Sequence, residues 1–148
     1  MTQDSPRAVF DRAQRALKEF DFDAFAGAFA EDGVLEAPFT PRRTTRGRGQ
    51  ILAQMQAGAG HARDAGVRIT GFRSMVIHET ADPEVIVAEF LEDLAVGDRT
   101  HALPFIQVVR VRGGEIVEFR DYVDGAAVRE ALSELPELRA AVTGQQPR

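Results

Sequence analysis

The chain has no cysteine anywhere in its 148 residues. That excludes a disulfide scaffold and a thiolate-ligated zinc site. Histidine is scarce at three residues, and tryptophan is absent. No HExxH run and no histidine–carboxylate ligand set occurs; His61 and His78 have no partners at metal-binding spacing, so neither a metal nor another cofactor is expected. Positive charge is in deficit: 18 Lys and Arg against 23 Asp and Glu leave a net charge of -5. A nucleic-acid binder wants the opposite balance, and an anionic membrane surface has nothing to attract it. No apolar run approaches the roughly 20 residues that cross a bilayer. The N-terminal MTQDSPRAVFDRAQ lacks a basic stretch followed by an apolar one, so no signal peptide is read and the expectation is a cytoplasmic protein. Internal repeats and low-complexity tracts are also missing.

What remains is a globular composition, 44% apolar and 28% charged. At this length one domain over 1–148 is expected, able to bury about 70% of its unfolded surface. Ser5-Pro6 is a helix start, with Ser5 as N-cap and Pro6 in the first turn. Val9, Ala13, Ala16, Leu17 and Phe20 follow at helical spacing. A second short helix from Asp21 is expected to carry Phe22, Phe25 and Phe29 and to end at Asp32-Gly33. A short strand then covers Val34 to Phe39. An arginine-rich loop, Arg42 to Arg48, precedes a helix over Gly49 to Met55 that ends somewhere in Gly58–Gly66. The period then changes to that of strands: Val67–His78, Val85–Val96, Thr100–Arg112 and Glu115–Val123, with Gly113-Gly114 as a hairpin turn. Asp124 caps a last helix through Leu132. Short turns make the four long strands antiparallel, and helices gathered on one side of them define an α+β domain.

Two stretches carry a family resemblance. Ala24 to Pro38, AFAGAFAEDGVLEAP, runs from a helix through an acidic turn into a short strand. Leu103 to Asp124, LPFIQVVRVRGGEIVEFRDYVD, joins two apolar strands by a glycine hairpin and ends in an aromatic residue and an aspartate. Both resemble the nuclear-transport-factor-two-like superfamily, and most closely its SnoaL-like polyketide cyclases and limonene-epoxide-hydrolase-like proteins. The resemblance implies a cone-shaped α+β roll, a curved antiparallel sheet with helices on its concave face and a pocket between them. The three functional positions of ketosteroid isomerases fall, ungapped, on Ala13, Ala37 and Gln107, and none keeps the required residue type. The strand pair of limonene-epoxide hydrolases falls on Phe90 and Glu92, their first-strand pair on Leu35 and Ala37, and their final-strand acid on Asp121. One carboxylate is kept, one becomes Glu and the arginine is lost. SnoaL-like cyclases place an acid/base where Asp121 stands.

Strand parity names the candidates independently, because side chains two apart share a face. Ile86, Ala88, Phe90 and Glu92 form one set; His101, Leu103, Phe105, Gln107 and Val109 a second; Val117, Phe119, Asp121 and Val123 a third. Each is apolar with one or two polar members, the composition of a small-molecule pocket and equally of an ordinary core. Asp121 among apolar neighbours would be desolvated and raised toward a useful acid/base range, against the plainer reading of an exposed strand end. Glu92 on the same face would push the pair's titrations apart, or else be solvated beside Asp93. Gln107 could donate to a developing oxyanion or satisfy a backbone group. His101, next to the turn Gly97-Asp98-Arg99, reads as a rim residue more readily than as an acid/base, and Pro104 could introduce a bulge that flips its parity. Phe39, Phe90, Leu103, Phe105 and Phe119 are the expected pocket walls. Arg42, Arg43, Arg46 and Arg48 read first as a solvated loop.

Three functions fit: a cofactor-independent acid/base enzyme on an apolar or mixed-polarity metabolite, a binding domain with the same pocket, and an interaction domain. A homodimer through the outer sheet face (Val85, Val87, Leu91, Ile106, Val108 and Val111) is expected in each.

Overall fold

A computed structural model describes residues 4–39 and 43–136. Its elements, in order, are α1 (Pro6–Lys18), α2 (Phe22–Gly27), β1 (Phe29–Ala37), β2 (Arg43–Arg46), α3 (Arg48–Ala57), α4 (Ala59–Asp64), β3 (Arg68–Glu79), β4 (Val85–Val96), β5 (Arg99–Arg112), β6 (Glu115–Val123) and α5 (Gly125–Leu132). The six strands form one sheet in the order β2-β1-β6-β5-β4-β3. Neighbours pair antiparallel throughout except β1 with β6, which run parallel. The expected α+β architecture holds, with the sheet mixed at that one ladder. Among the described residues no helix is long and apolar enough to cross a membrane.

The helix starts follow local chemistry. The Ser5 hydroxyl accepts from the Ala8 amide at 3.2 Å, Asp21 from the Ala24 amide at 3.0 Å, and Asp124 from the amides of Ala126 and Ala127 at 3.0 and 3.1 Å. Each satisfies a donor that the first helical turn leaves free. α1 lays Val9, Phe10, Ala13 and Ala16 against the sheet, all buried. Phe25, Phe29 and Phe119 pack mutually at centroid distances of 5.3 to 6.1 Å, tying α2 and β1 to β6. A second apolar cluster, Val67, Leu94, Val96 and Leu103, is covered by Ala62, Val128 and Leu132 from α4 and α5.

Several sequence expectations change. Phe29 opens β1 rather than closing α2, and β1 passes through Asp32-Gly33 with a register shift between Phe29 and Val34. A Cβ on Gly33 would lie 2.8 Å from the Ile116 carbonyl oxygen, so only glycine lets β1 approach β6 so closely there. Part of the arginine-rich loop is strand β2; Arg42 lies outside the described residues. After Gly58 a separate helix, α4, follows α3. A bulge at Val117 of β6, opposite Arg110 and Val111, makes Ile116, not Val117, the buried residue at the start of β6. Val111 is 3% exposed and not on the outer face, because it continues the inward parity of Gln107 and Val109 on β5. Pro104 introduces no bulge: the β4–β5 ladder is in unbroken register from Val85↔Arg110 to Val96↔Arg99.

Candidate active site

α1, α3, α4 and α5 leave a gap over the sheet between the two apolar clusters. It is a cavity of about 270 Å³. Phe90 and Phe119 come to it from the first cluster and Leu94 and Leu103 from the second, while Val128 and Leu132 of α5 close one side. Phe90 stacks on Phe105 (5.5 Å, 3° between planes) and meets Phe72 edge-on at 5.5 Å, which fixes one aromatic wall. Phe20 lines another side from the turn after α1, with a positive φ of 54° that aromatic side chains rarely adopt. The local cost, of order 1 kcal/mol, is borne where the ring meets the cavity.

The polar residues in this apolar space are Gln14, Glu92, Gln107 and Asp121. Gln107, opposite Asp121 in the β5–β6 ladder, donates from Nε2 to Asp121 Oδ1 at 3.1 Å. Its Oε1 accepts from Gln14 Nε2 at 2.5 Å. Both glutamines are essentially buried, at 4% and 3% exposure, so this relay is well shielded from water. It leaves Gln14 Oε1 buried with no partner. Gln14 was not foreseen. The signal was available: it lies four residues after Phe10 and three before Leu17 on the buried side of α1, a polar residue in an apolar stripe.

Glu92 pairs with Leu103 in the β4–β5 ladder, four positions along β5 from Gln107. The two acids therefore enter from opposite sides of β5, offset by about 13 Å along the strand. They share the cavity and an electrostatic field rather than a hydrogen bond. Burial raises Glu92 from 4.5 to about 7, with the Asp121 charge adding to the shift. Burial likewise raises Asp121 from 3.8 to about 6, opposed by the Gln107 hydrogen bond, which favours the ionised form. Both residues are half-buried by area. The surface they keep lines the cavity, and the protein on their other sides excludes bulk water, which is why desolvation dominates.

Phe90, Leu103, Phe105 and Phe119 are brought to the cavity; Phe39 is not. β1 ends at Ala37, and Phe39 is 71% exposed, packed edge-on against Tyr122. His101 also stays outside. Its Nε2 lies 3.0 Å from Glu134 Oε1, in ion-pair range but off the line of a hydrogen bond, beyond the end of α5. Among the described residues no group of His, Asp and Glu is arranged to hold a metal.

A mixed sheet wrapped by helices around an apolar, acid-bearing cavity defines the nuclear-transport-factor-two-like class. The SnoaL-like domain model matches residues 10–119, so the chain belongs to the SnoaL-like domain family. It is 31% identical over 143 residues to an uncharacterized PhzA/B-like protein of Pseudomonas aeruginosa, covering 93% of this chain and 97% of that one. Among solved structures it is similar to a candidate isomerase of Bacillus subtilis (TM-score 0.71, 23% identity, 84% and 95% of the two chains). It is also similar to an LEH-like epoxide hydrolase of M. tuberculosis (TM-score 0.62, 26% identity, 97% and 98%).

Proposed function

We propose that the chain is a cofactor-independent acid/base catalyst of the isomerase, cyclase or hydrolase type, acting on a small, largely apolar metabolite held in the cavity. The observation that carries this reading is the pair of carboxyl groups raised to about 6 and about 7 inside one apolar cavity. Near neutral pH Asp121 is mostly ionised and Glu92 about half protonated, so one can take a proton while the other gives one. Gln107 holds Asp121 Oδ1, which leaves Oδ2 to face the substrate as base. Glu92 accepts no side-chain hydrogen bond among the described residues and is free to deliver its proton at a second point on the substrate. Moving a double bond, closing a ring or adding water each need a proton removed in one place and supplied in another. Screening apolar carbonyl and epoxide compounds for turnover, followed by Asp121→Asn, tests the assignment. The variant is expected to lose about 10²- to 10⁴-fold in kcat, and unchanged turnover would remove Asp121 from the role.

The incomplete isomerase and hydrolase residue sets favour one other reading, a binding domain with the same cavity. Tight binding without conversion of any bound compound decides for it. We also propose a homodimer across the outer sheet face, where Met75, Val76 and Ile106 are exposed.

A further inference from the structure

The cavity's polar equipment is one-sided. Among the described residues that line it, the charged ones are Glu92 and Asp121, and none is Lys, Arg or His. The two amide nitrogens each donate once within the chain, Gln14 to Gln107 and Gln107 to Asp121, and each keeps a second N–H. The charge offered to a ligand is of one sign only: the second Asp121 oxygen and, once ionised, the Glu92 carboxylate; Gln14 Oε1 lies buried behind them with no partner. The surrounding walls are aromatic, with Phe25, Phe72, Phe90, Phe105 and Phe119 among them. Ring faces attract cations, and more strongly where water is excluded. The cation beside the wall, Arg68, lies over the Phe20 ring at 6.0 Å and bonds to the carbonyl oxygens of Arg63 and Val67.

We propose that this cavity is built for a small apolar amine, bound with its protonated nitrogen at the free Asp121 oxygen and in the field of Glu92, and that it rejects carboxylates and phosphates of the same shape. This inference rests on the reading of the cavity as the small-molecule site and names its ligand class; it does not depend on turnover. An ammonium group donates its N–H to the Asp121 carboxylate and neutralises that desolvated charge. An anion meets two acids and no counter-charge. The site also links binding to protons. Among the described residues no other titratable group faces the pair: α1 contributes Gln14, α3 and α4 contribute Met55, Ala59 and Ala62, and α5 contributes Val128 and Leu132. A bound cation favours ionisation of both acids, so binding releases protons near neutrality and weakens as the acids are protonated.

The test is isothermal calorimetry on the full chain with three probes of similar shape: N,N-dimethylcyclohexylamine, 2-cyclohexyl-2-propanol and cyclohexanecarboxylate. At about pH 8, above both carboxyl pKa values, the amine is expected to bind at least about tenfold tighter than the alcohol, and the carboxylate not at all. Lowering the pH to about 5 is expected to weaken the amine by about tenfold or more and leave the alcohol unchanged. Glu92→Gln, which keeps the shape, is expected to narrow the amine-to-alcohol ratio. Equal binding of amine and alcohol, binding of the carboxylate, or no binding of any probe overturns the proposal. Carbon-13 NMR titration of the carboxyl groups in the same samples separates it from the acid/base reading. Raised carboxyl pKa values without cation preference overturn the ligand class alone. Cation preference with ordinary carboxyl pKa values supports the ligand class and overturns the acid/base reading.

Discussion

Replacing Glu92 by glutamine is expected to make the protein more stable above neutral pH. Burial holds this carboxyl near 7 in the folded chain, against 4.5 in the unfolded one. Between those values the folded state binds the extra proton, so unfolding free energy falls as pH rises through that window. Below about pH 4.5 the acid is neutral in both states and costs nothing. Above about 7 the full penalty applies, roughly 3 kcal/mol at 1.36 kcal/mol per pH unit. Glutamine is close in shape and never ionises, but its amide must also be accommodated in the cavity, which takes back about 1 kcal/mol. The net gain at pH 8 is therefore about 2 kcal/mol, large against the 5–15 kcal/mol of a typical domain. Urea unfolding of both proteins at about pH 4.5 and pH 8 measures it, with the slope against denaturant required to stay constant. The gain should be confined to the higher pH. A variant equally or less stable than wild type at pH 8, or one stabilised equally at both, would show that Glu92 is not held protonated by its surroundings.

Two other outcomes follow from the fold. Gly33→Ala sets a methyl group 2.8 Å from the Ile116 carbonyl and 3.1 Å from that of Ala30, both backbone atoms that cannot swing aside. The β1–β6 ladder must open, and a loss of about 1–3 kcal/mol in urea unfolding is expected; a neutral result would mean that β1 is not held there. Multi-angle light scattering should give twice the 16.2 kDa chain mass, lowered by Ile106→Lys in the middle of the exposed outer face. A monomer mass for the unaltered chain refutes the sheet-mediated dimer.

The long strands were legible because one period governs them. On β4, Ile86, Ala88, Phe90 and Glu92 alternate with outward neighbours in unbroken register, so parity alone places Glu92 at the cavity. The same holds for Leu103, Phe105 and Gln107 on β5. Parity failed where the backbone departs from the pleat. The bulge at Val117 exchanges Val117 for Ile116 on β6, and no composition rule announces a bulge at that position. Val111 was set on the outer face against the parity of its own strand, which puts it with Gln107 and Val109. Phe39 was misplaced because the chain leaves β1 at Ala37, and an aromatic residue past a strand end packs on whatever is near, here Tyr122. β2 was missed because four residues rich in arginine carry no apolar alternation; its evidence is the ladder with β1. Gln14 was missed because α1 was read from its apolar residues alone, and the ungapped family match fell on its neighbour Ala13. On a helix one residue is about 100°, enough to exchange a packing contact for a cavity-lining one.

The contrast between Gln14 and the two acids bears on why this cavity persists. A core could be closed here: the neighbouring clusters are packed with Phe, Leu and Val, and apolar residues at 92, 107 and 121 would continue them. Instead the chain keeps two desolvated carboxyl groups, an unpartnered amide oxygen and an aromatic residue in a strained backbone conformation around one void. Each lowers stability, and together they amount to several kcal/mol. Scattered over a fold such features would read as ordinary imperfection. Converging on one largely apolar space, they point to a site whose missing component is a ligand, because a bound cation relieves the desolvated charge. Stability is thus the variable that separates the readings. In a purely structural pocket, substitution at Glu92 also raises stability, but no added ligand changes the stability of either protein. In a binding or catalytic site, substitution at Glu92 raises stability while weakening ligand capture.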